Sequence, residues 1–152
     1  MNLTSLLRVE RINLDLKSRK KQDVLRELVT MIREGETAEM LYQTLLKREE
    51  LGSTGIGKGI AIPHGRSLIL DKLEIAVGRS AKGVDFDAID NKPVFLFFLV
   101  MAPPQDPGNQ YLITLGRIAM VAQELTKRKQ LFGPQTPQEF LELVRTIEEK
   151  VR

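Results

Sequence analysis

A run of ten apolar residues, from Pro93 to Ala102, constrains the fold of this chain more than any other segment. The run is about half as long as the roughly 20 residues that a membrane-spanning helix needs. A short apolar run of this kind is typical of a strand that is buried inside a sheet. We therefore expect a central buried strand over Val94–Met101 and no membrane partner.

Strand and helix patterns alternate along the rest of the chain. Alternating apolar residues predict a strand over Arg11–Leu16, and short apolar runs predict two more at Ile60–Ile62 and Leu73–Val77. Apolar residues at helical spacing predict four helices. Their expected core residues are, helix by helix, Val24, Leu25, Leu28, Val29 and Ile32; Met40, Leu41, Leu45 and Leu46; Leu112, Leu115, Ile118, Ala119, Ala122 and Leu125; and Phe140, Leu141, Val144 and Ile147.

Turn and cap residues predict where these elements begin and end. Gly35 is expected to end the first helix and Gly52 the second, which Thr37 is expected to cap. The run Thr136–Glu139 supplies a cap, a proline for the first helical position and the glutamate of a capping box, and a turn is expected at Gly83–Asp87. Strands mixed with helices on this scale indicate an α/β sandwich whose sheet is covered on both faces.

Composition suits one domain over residues 1–152, because 42% of the residues are hydrophobic and supply a core. The absence of cysteine excludes a disulfide framework and a thiolate metal site. Charged residues follow Leu6-Leu7 at once, so no secretory signal is visible and we expect a cytoplasmic protein. The net charge is only +3 and aromatic residues are 5%, so a surface for stacking bases, and with it a nucleic-acid partner, is not expected.

The only histidine of the chain, His64, follows a glycine-rich segment, Gly52-Ser-Thr-Gly-Ile-Gly-Lys-Gly-Ile-Ala-Ile-Pro-His64. Glycine lets a ligand or another backbone approach closely, and Pro63 favours an extended conformation at Ile62. The segment therefore predicts a loop, a short strand and a histidine at the end of that strand. On spacing alone, a surface turn with an incidental histidine is the alternative, because a glycine-rich loop is a weak signal.

The amino-acid sequence of this segment resembles the phosphorylation-site motif of type-2 enzyme IIA domains, the fructose–mannitol superfamily of the sugar phosphotransferase system. The similarity extends to Lys47–Leu51, to Phe86–Val94, to the helix starting near Tyr111 and to Thr136–Phe140, and it looks most like the nitrogen-regulatory branch. The resemblance implies a mixed sheet flanked by helices. It also implies a phosphohistidine carrier, a phosphotransferase component rather than a free-standing enzyme, whose partner is a histidine-phosphorylated HPr-like protein.

Three kinds of chemistry are open to His64. A metal site is not expected, because one histidine without cysteine leaves only scattered carboxylates as ligands. A serine hydrolase needs a Gly-x-Ser-x-Gly segment, which the sequence lacks. The third possibility is nucleophilic attack on phosphorus, for which a neutral imidazole supplies a lone pair near pH 7. This chemistry needs no cofactor.

Arg48 is the leading candidate for stabilising the transferred phosphoryl group. Its guanidinium is planar, always charged and suited to paired contacts with phosphate oxygens, and the resemblance implies an arginine here beside the active histidine. A surface arginine that favours the helix dipole is the structural alternative. Further candidates for binding phosphate or orienting the ring are the backbone N–H groups of Gly65 and Arg66, the hydroxyls of Ser53 and Thr54, and, more weakly, the side chains of Arg66 and Lys58.

Tyr111 occupies the place where many relatives carry a second histidine. A phenol can donate a hydrogen bond to phosphate but carries no positive charge. The difference leaves a second hypothesis open, a binding regulator of the same fold that is weakly phosphorylated or not phosphorylated. Under the first hypothesis we expect a regulatory output rather than sugar uptake, because the sequence shows no fused transporter. The sequence does not name the regulated target.

Overall fold

The predicted buried strand lies in the middle of the sheet as β6, Val94–Ala102. The computed structural model describes residues 2–151. Before β6, they form α1 (Leu3–Leu6), a 3₁₀ turn (Val9–Arg11), β1 (Ile12–Asn13), α2 (Lys21–Thr30), α3 (Gly35–Leu51), β2 (Gly55–Gly57), β3 (Ile60–Ala61), β4 (His64–Arg66) and β5 (Glu74–Val84). After β6 come α4 (Gln110–Lys127) and α5 (Pro137–Lys150).

Strand β6 has a different kind of neighbour at each edge. β5 runs antiparallel to it, with Ile75 opposite Val100, and β1 pairs parallel with β5. At the other edge β3 and β4 follow one another, both parallel to β6, with Ile60 opposite Leu96 and His64 opposite Val100. β2 pairs antiparallel with β3. The sheet is therefore mixed, and the glycine-rich segment supplies three of its six strands.

Alternate side chains of β6 enter two separate hydrophobic clusters. Phe97, Leu99 and Met101 share a cluster with buried residues of α2 and α3, whereas Phe98 and Val100 share one with buried residues of α4 and α5. All five are 0% exposed, and full burial of one such side chain contributes about 1.5–3 kcal/mol. The sheet is thus covered by helices on both faces, which confirms the predicted α/β sandwich.

Strand β1 is shorter than the predicted strand over Arg11–Leu16. Regular pairing is confined to Ile12–Asn13, and the residues just before it form the 3₁₀ turn. The N–H of Leu16 still donates to the carbonyl of Arg79 at 2.9 Å. The chain therefore leaves the edge of the sheet after β1 and returns to it, which a period-two pattern does not reveal.

Strand β5 is longer than the predicted strand over Leu73–Val77. It continues to Val84, so the turn expected at Gly83–Asp87 begins inside the strand. The sequence pattern does not predict this extension, because it contains two polar residues, Arg79 and Ser80, that are nevertheless buried. The guanidinium of Arg79 donates to the carbonyls of Leu131 and Pro134 at 3.2 and 2.8 Å, which satisfies a charge that the sequence pattern places in solvent.

The junction of the first two long helices differs from the prediction. α2 ends at Thr30 rather than at Gly35. Gly35 begins α3 instead, with a φ of +64° that favours glycine. Thr37 therefore lies inside α3 and is not its cap, and its hydroxyl donates to the carbonyl of Glu34 at 2.8 Å.

Three predicted core residues are wrong. Met40 and Leu112 are 57% and 63% exposed, and Ala119 is also exposed. The buried stripe of α4 is rotated, so that it contains polar residues as well, and runs through Tyr111, Thr114, Ile118, Val121, Ala122 and Leu125. Leu46, Leu115 and Leu141 lie at the margins, half-buried against the core, and the other predicted core residues of the four helices are buried.

The predicted start of α5 is confirmed. The side chain of Thr136 accepts the N–H of Glu139 at 3.1 Å, and Pro137 opens the helix. The carboxylate of Glu139 accepts the N–H of Gln135 at 2.7 Å, one residue earlier than in the usual capping box. Across residues 2–151, no helix has both the length and the apolar character needed to cross a membrane.

Candidate active site

His64 opens β4, where its backbone is fixed on both sides. The N–H of Val100 donates to the carbonyl of Pro63 at 2.9 Å, and α3 packs against β4. The imidazole is half-buried, and its Nδ1 lies 2.7 Å from the carbonyl oxygen of Ile62. Because a carbonyl can only accept, Nδ1 carries the proton in this contact. The lone pair of a neutral ring is then on Nε2.

Burial lowers the pKa of His64 below its ordinary value, and the positive charge of Arg48 adds to that effect. The hydrogen bond to the Ile62 carbonyl and the charge of Glu49 act in the opposite direction. The net lowering keeps the ring neutral near pH 7, so it can act as a nucleophile.

Tyr111, in the first turn of α4, lies beside the imidazole. The ring centroids of Tyr111 and His64 are 5.9 Å apart, and the ring planes meet at 63°. Burial raises the pKa of Tyr111 to about 12, against the charges of Arg66 and Arg48. The phenol therefore stays protonated and is a hydrogen-bond donor at neutral pH.

Arg48 lies in the last turn of α3 and is half-buried. Its Nη1 donates to the carbonyl of Gly52 at 2.9 Å, which satisfies a carbonyl at the helix end. The same positive charge acts on both the His64 and the Tyr111 rings. One of the five guanidinium N–H groups is engaged at Gly52, and the structure thus brings Arg48 to the candidate site.

The side chain of Arg66 is engaged beside Tyr111. Its guanidinium carbon lies 4.4 Å from the Tyr111 ring centroid, and its Nη1 donates to the Pro103 carbonyl at 2.9 Å. Its Nη2 lies 3.8 Å from a carboxylate oxygen of Asp106. Asp106 also accepts the N–H groups of Gln110 and Tyr111 at 3.1 and 2.8 Å. Sequence analysis missed Asp106, although an aspartate just before a helix is a capping signal.

Gly65 lies in close contact with α3. A Cβ there would lie 3.2 Å from Cγ2 of Thr44. The bonds from Val100 to Pro63 and from the Ser67 N–H to the Ala102 carbonyl define a parallel ladder that also takes up the N–H of Gly65. The backbone N–H groups that point away from β6 are those of His64 and Arg66.

The Ser53 and Lys58 candidates connect the glycine-rich loop to residues 86–90. The hydroxyl of Ser53 donates to the Phe86 carbonyl at 2.7 Å and accepts the N–H of Gly55 at 3.0 Å. Lys58 has an exposed side chain and a φ of +57°, and its N–H donates to Asp90 at 2.9 Å. Neither residue has a hydrogen bond to His64.

Thr54 is bound to a residue that sequence analysis gave no role. Its N–H lies 3.2 Å from both carboxylate oxygens of Glu49, and its hydroxyl donates to the same carboxylate. In the sequence, only the position of Glu49 next to Arg48 pointed to it.

In the part of the chain that the structure describes, no group of three or more His, Cys, Asp or Glu side chains could hold a metal ion.

Comparison with known families identifies the family of this chain. Residues 5–147 match the family described as phosphoenolpyruvate-dependent sugar phosphotransferase system, EIIA 2. The chain belongs to the type-2 enzyme IIA family. The resemblance seen in the sequence is therefore confirmed, and the match includes His64, Arg48 and Tyr111.

Relatives of this type-2 enzyme IIA chain carry two kinds of name. A nitrogen regulatory protein of Bradyrhizobium diazoefficiens is 36% identical over 133 residues, 86% of each chain. A fructose-specific EIIABC component of Bacillus subtilis is 32% identical over 147 residues, which are 95% of this chain but 23% of that protein. The crystal structure of nitrogen regulatory protein IIA-Ntr from Neisseria meningitidis superimposes with a TM-score of 0.85 at 28% identity, covering 93% of this chain and 98% of that one.

Proposed function

We propose that this chain is a cytoplasmic phosphocarrier in which Nε2 of His64 accepts a phosphoryl group from a histidine-phosphorylated HPr-like protein. One observation carries the proposal: the Ile62 carbonyl accepts a hydrogen bond from Nδ1–H, which leaves the Nε2 lone pair as the nucleophile. Membership of the enzyme IIA family supports phosphorus as the target of that lone pair.

The transfer exchanges one phosphorus–nitrogen bond for another. The Nε2 lone pair of His64 attacks phosphorus while the bond from phosphorus to the donor's imidazole nitrogen breaks, and the electron pair of that bond returns to the donor. His64 gains positive charge as its bond forms. The Ile62 carbonyl, 2.7 Å from Nδ1, stabilises this charge because it accepts a stronger hydrogen bond from a more acidic N–H.

The phosphoryl oxygens need donors that are already in place. Arg48 supplies a charged donor, because its guanidinium already acts on the imidazole electrostatically. The protonated phenol of Tyr111 on α4 and the N–H of Arg66 on β4 that points away from β6 are the neutral donors in this proposal. Ser53 and Thr54 orient the loop in this proposal, since their hydroxyls donate to the Phe86 carbonyl and to the Glu49 carboxylate.

A protein partner and a regulatory output fit the surface around His64. Leu68, Leu112 and Ile113 follow Arg66 and Tyr111 closely in sequence and are 90%, 63% and 45% exposed. A phosphoryl group on His64 would change the charge of a surface that combines these exposed apolar side chains with Arg48 and Arg66. Similarity to nitrogen regulatory proteins supports a role in the nitrogen-related branch rather than in sugar uptake.

The second candidate function is a binding regulator that exchanges little or no phosphate. Tyr111 favours it, because the phenol beside His64 cannot carry the positive charge that an imidazole would offer to a phosphoryl group. In that case the exposed leucines near the site bind a partner whether or not phosphate is present.

Incubation with phosphoenolpyruvate, enzyme I and an HPr-like protein distinguishes the two functions by intact mass. A phosphocarrier gains one acid-labile phosphoryl group, and His64→Ala gains none. No gain of mass, under conditions in which the HPr-like protein is itself phosphorylated, identifies the binding regulator.

A further inference from the structure

Glu49 lies between a lysine and the glycine-rich loop. Its side chain is 6% exposed, and its carboxylate lies 2.8 Å from Nζ of Lys21, whose side chain is 17% exposed. Nζ of Lys21 also donates to the Phe86 carbonyl at 3.2 Å. The ion pair therefore has a fixed position where α2 and α3 meet the loop.

The carboxylate of Glu49 holds the loop through Thr54. It accepts both the N–H and the hydroxyl of Thr54, which is itself 4% exposed. Bonds of this kind, to a charged acceptor, are stronger than those between neutral groups. The segment needs such a clamp because four glycines, Gly52, Gly55, Gly57 and Gly59, supply no side chains to pack.

Two further bonds connect Thr54 to the imidazole. The carbonyl of Thr54 accepts the N–H of Ile62 at 3.0 Å. The carbonyl of Ile62 then accepts Nδ1–H of His64 at 2.7 Å. The Ile62 carbonyl is the acceptor that selects the tautomer of His64. Its position thus depends on Glu49 through the backbones of Thr54 and Ile62.

We propose that Glu49 is a positioning residue, which fixes the Ile62 carbonyl and thereby keeps the His64 proton on Nδ1 and the lone pair on Nε2. Glu49 positions this carbonyl through Thr54 and Ile62, an effect separate from that of its charge on the imidazole. The consequence for phosphoryl transfer rests on the proposed function, whereas the effect on the tautomer does not.

The test uses protein labelled with ¹⁵N-histidine, because the chain has a single histidine and every signal then comes from His64. At a pH where the ring is neutral, the wild type should show a protonated Nδ1 and an unprotonated Nε2. In Glu49→Gln, which keeps the shape but loses the charge, the two ¹⁵N shifts should move towards each other. Phosphoryl uptake should fall by roughly 10- to 100-fold, as when a supporting group misplaces a reactive one.

Glu50→Gln is the matched control, because Glu50 is the exposed neighbour and the change in net charge is the same. This variant should retain wild-type shifts and uptake.

Thr54→Val, which removes the hydroxyl, should reproduce part of the Glu49→Gln effect. Thr54→Ser, which keeps a hydroxyl, should show wild-type shifts and uptake. The Thr54 pair decides the question if Glu49→Gln does not fold. Wild-type shifts in folded Glu49→Gln, or in Thr54→Val, overturn the proposal. If the wild type gains no phosphoryl group, the proposed function fails, while the shifts still decide the role of Glu49.

Discussion

Tyr111 lies beside His64 with ring centroids 5.9 Å apart and ring planes at 63°, next to the imidazole that accepts the phosphoryl group in the proposed function. Burial raises its pKa to about 12, which makes it a neutral donor over the whole physiological range. The consequences of replacing a second histidine by tyrosine can therefore be measured at one position.

We expect Tyr111→Phe to shorten the lifetime of the phosphorylated protein, because it removes the hydroxyl with little change in volume. Tyr111→His should lengthen that lifetime, and more so below about pH 6.5, where an ordinary imidazole gains charge. The measurement is the phosphohistidine half-life across pH. Tyr42→Phe is the control, since Tyr42 is the only other tyrosine. Identical half-lives for all the variants would remove Tyr111 from the site.

Arg48→Ala should slow phosphoryl uptake by roughly 10²-fold, the cost of losing one preorganised donor. Arg48→Lys should recover only part of the rate, because an ammonium group cannot make the paired contacts of a guanidinium. Lys47→Ala, which removes an exposed positive charge next to it, controls for net charge. Rapid-quench transfer kinetics measure all three, and a wild-type rate in Arg48→Ala would contradict the role of this residue.

Stability should depend on pH through His64. The folded protein lowers the pKa of His64 below its ordinary value of 6.5, so the unfolded chain binds the proton first as the pH falls. The free energy of unfolding should therefore decrease as the pH falls through 6.5 and level off below the folded pKa. Urea unfolding of wild type and His64→Gln across this range isolates the effect. An NMR titration midpoint of His64 at 6.5 would remove this pH dependence, and one above 6.5 would reverse its sign; either would refute the prediction.

Asp106 should stabilise the start of α4 through the N–H groups of Gln110 and Tyr111. Asp106→Ala should lower the free energy of unfolding by about 1 kcal/mol, the usual cost of a lost cap. Asp106→Asn keeps an acceptor oxygen for one of the two N–H groups and should cost less than alanine, because the partly exposed ion pair with Arg66 at 3.8 Å contributes little. Equal losses in the two variants, measured by urea unfolding, would show that the charge and not the cap matters.

The sequence predicted the features that depend on local pattern. The apolar run at Val94–Met101 became the central strand β6, and Thr136-Pro137 became the start of α5. The glycine-rich segment formed the expected short strand, Ile60–Ala61, but His64, expected at the end of that strand, instead opens a further strand, His64–Arg66. In each case the residues that determine the feature lie within a few positions of one another, so the feature can be predicted without knowledge of the fold.

Features that depend on contacts between distant segments were not predictable. Glu49 forms an ion pair with Lys21 of another helix, and Arg66 pairs with Asp106, which lies 40 positions further along the chain. Thr37 resembles a cap by its position, yet the left-handed Gly35 begins the helix earlier. Burial of Arg79 depends on the Leu131 and Pro134 carbonyls, which lie far along the chain.

The central claim, that Nε2 of His64 carries the phosphoryl group, is tested most directly by ¹⁵N–³¹P NMR of ¹⁵N-histidine-labelled protein after incubation with phosphoenolpyruvate, enzyme I and an HPr-like protein. With one histidine in the chain, a single phosphorus signal coupled to Nε2, with Nδ1 still protonated, is the predicted result. A phosphoryl group on Nδ1, a group on any other residue, or no group while the HPr-like protein is phosphorylated would contradict it.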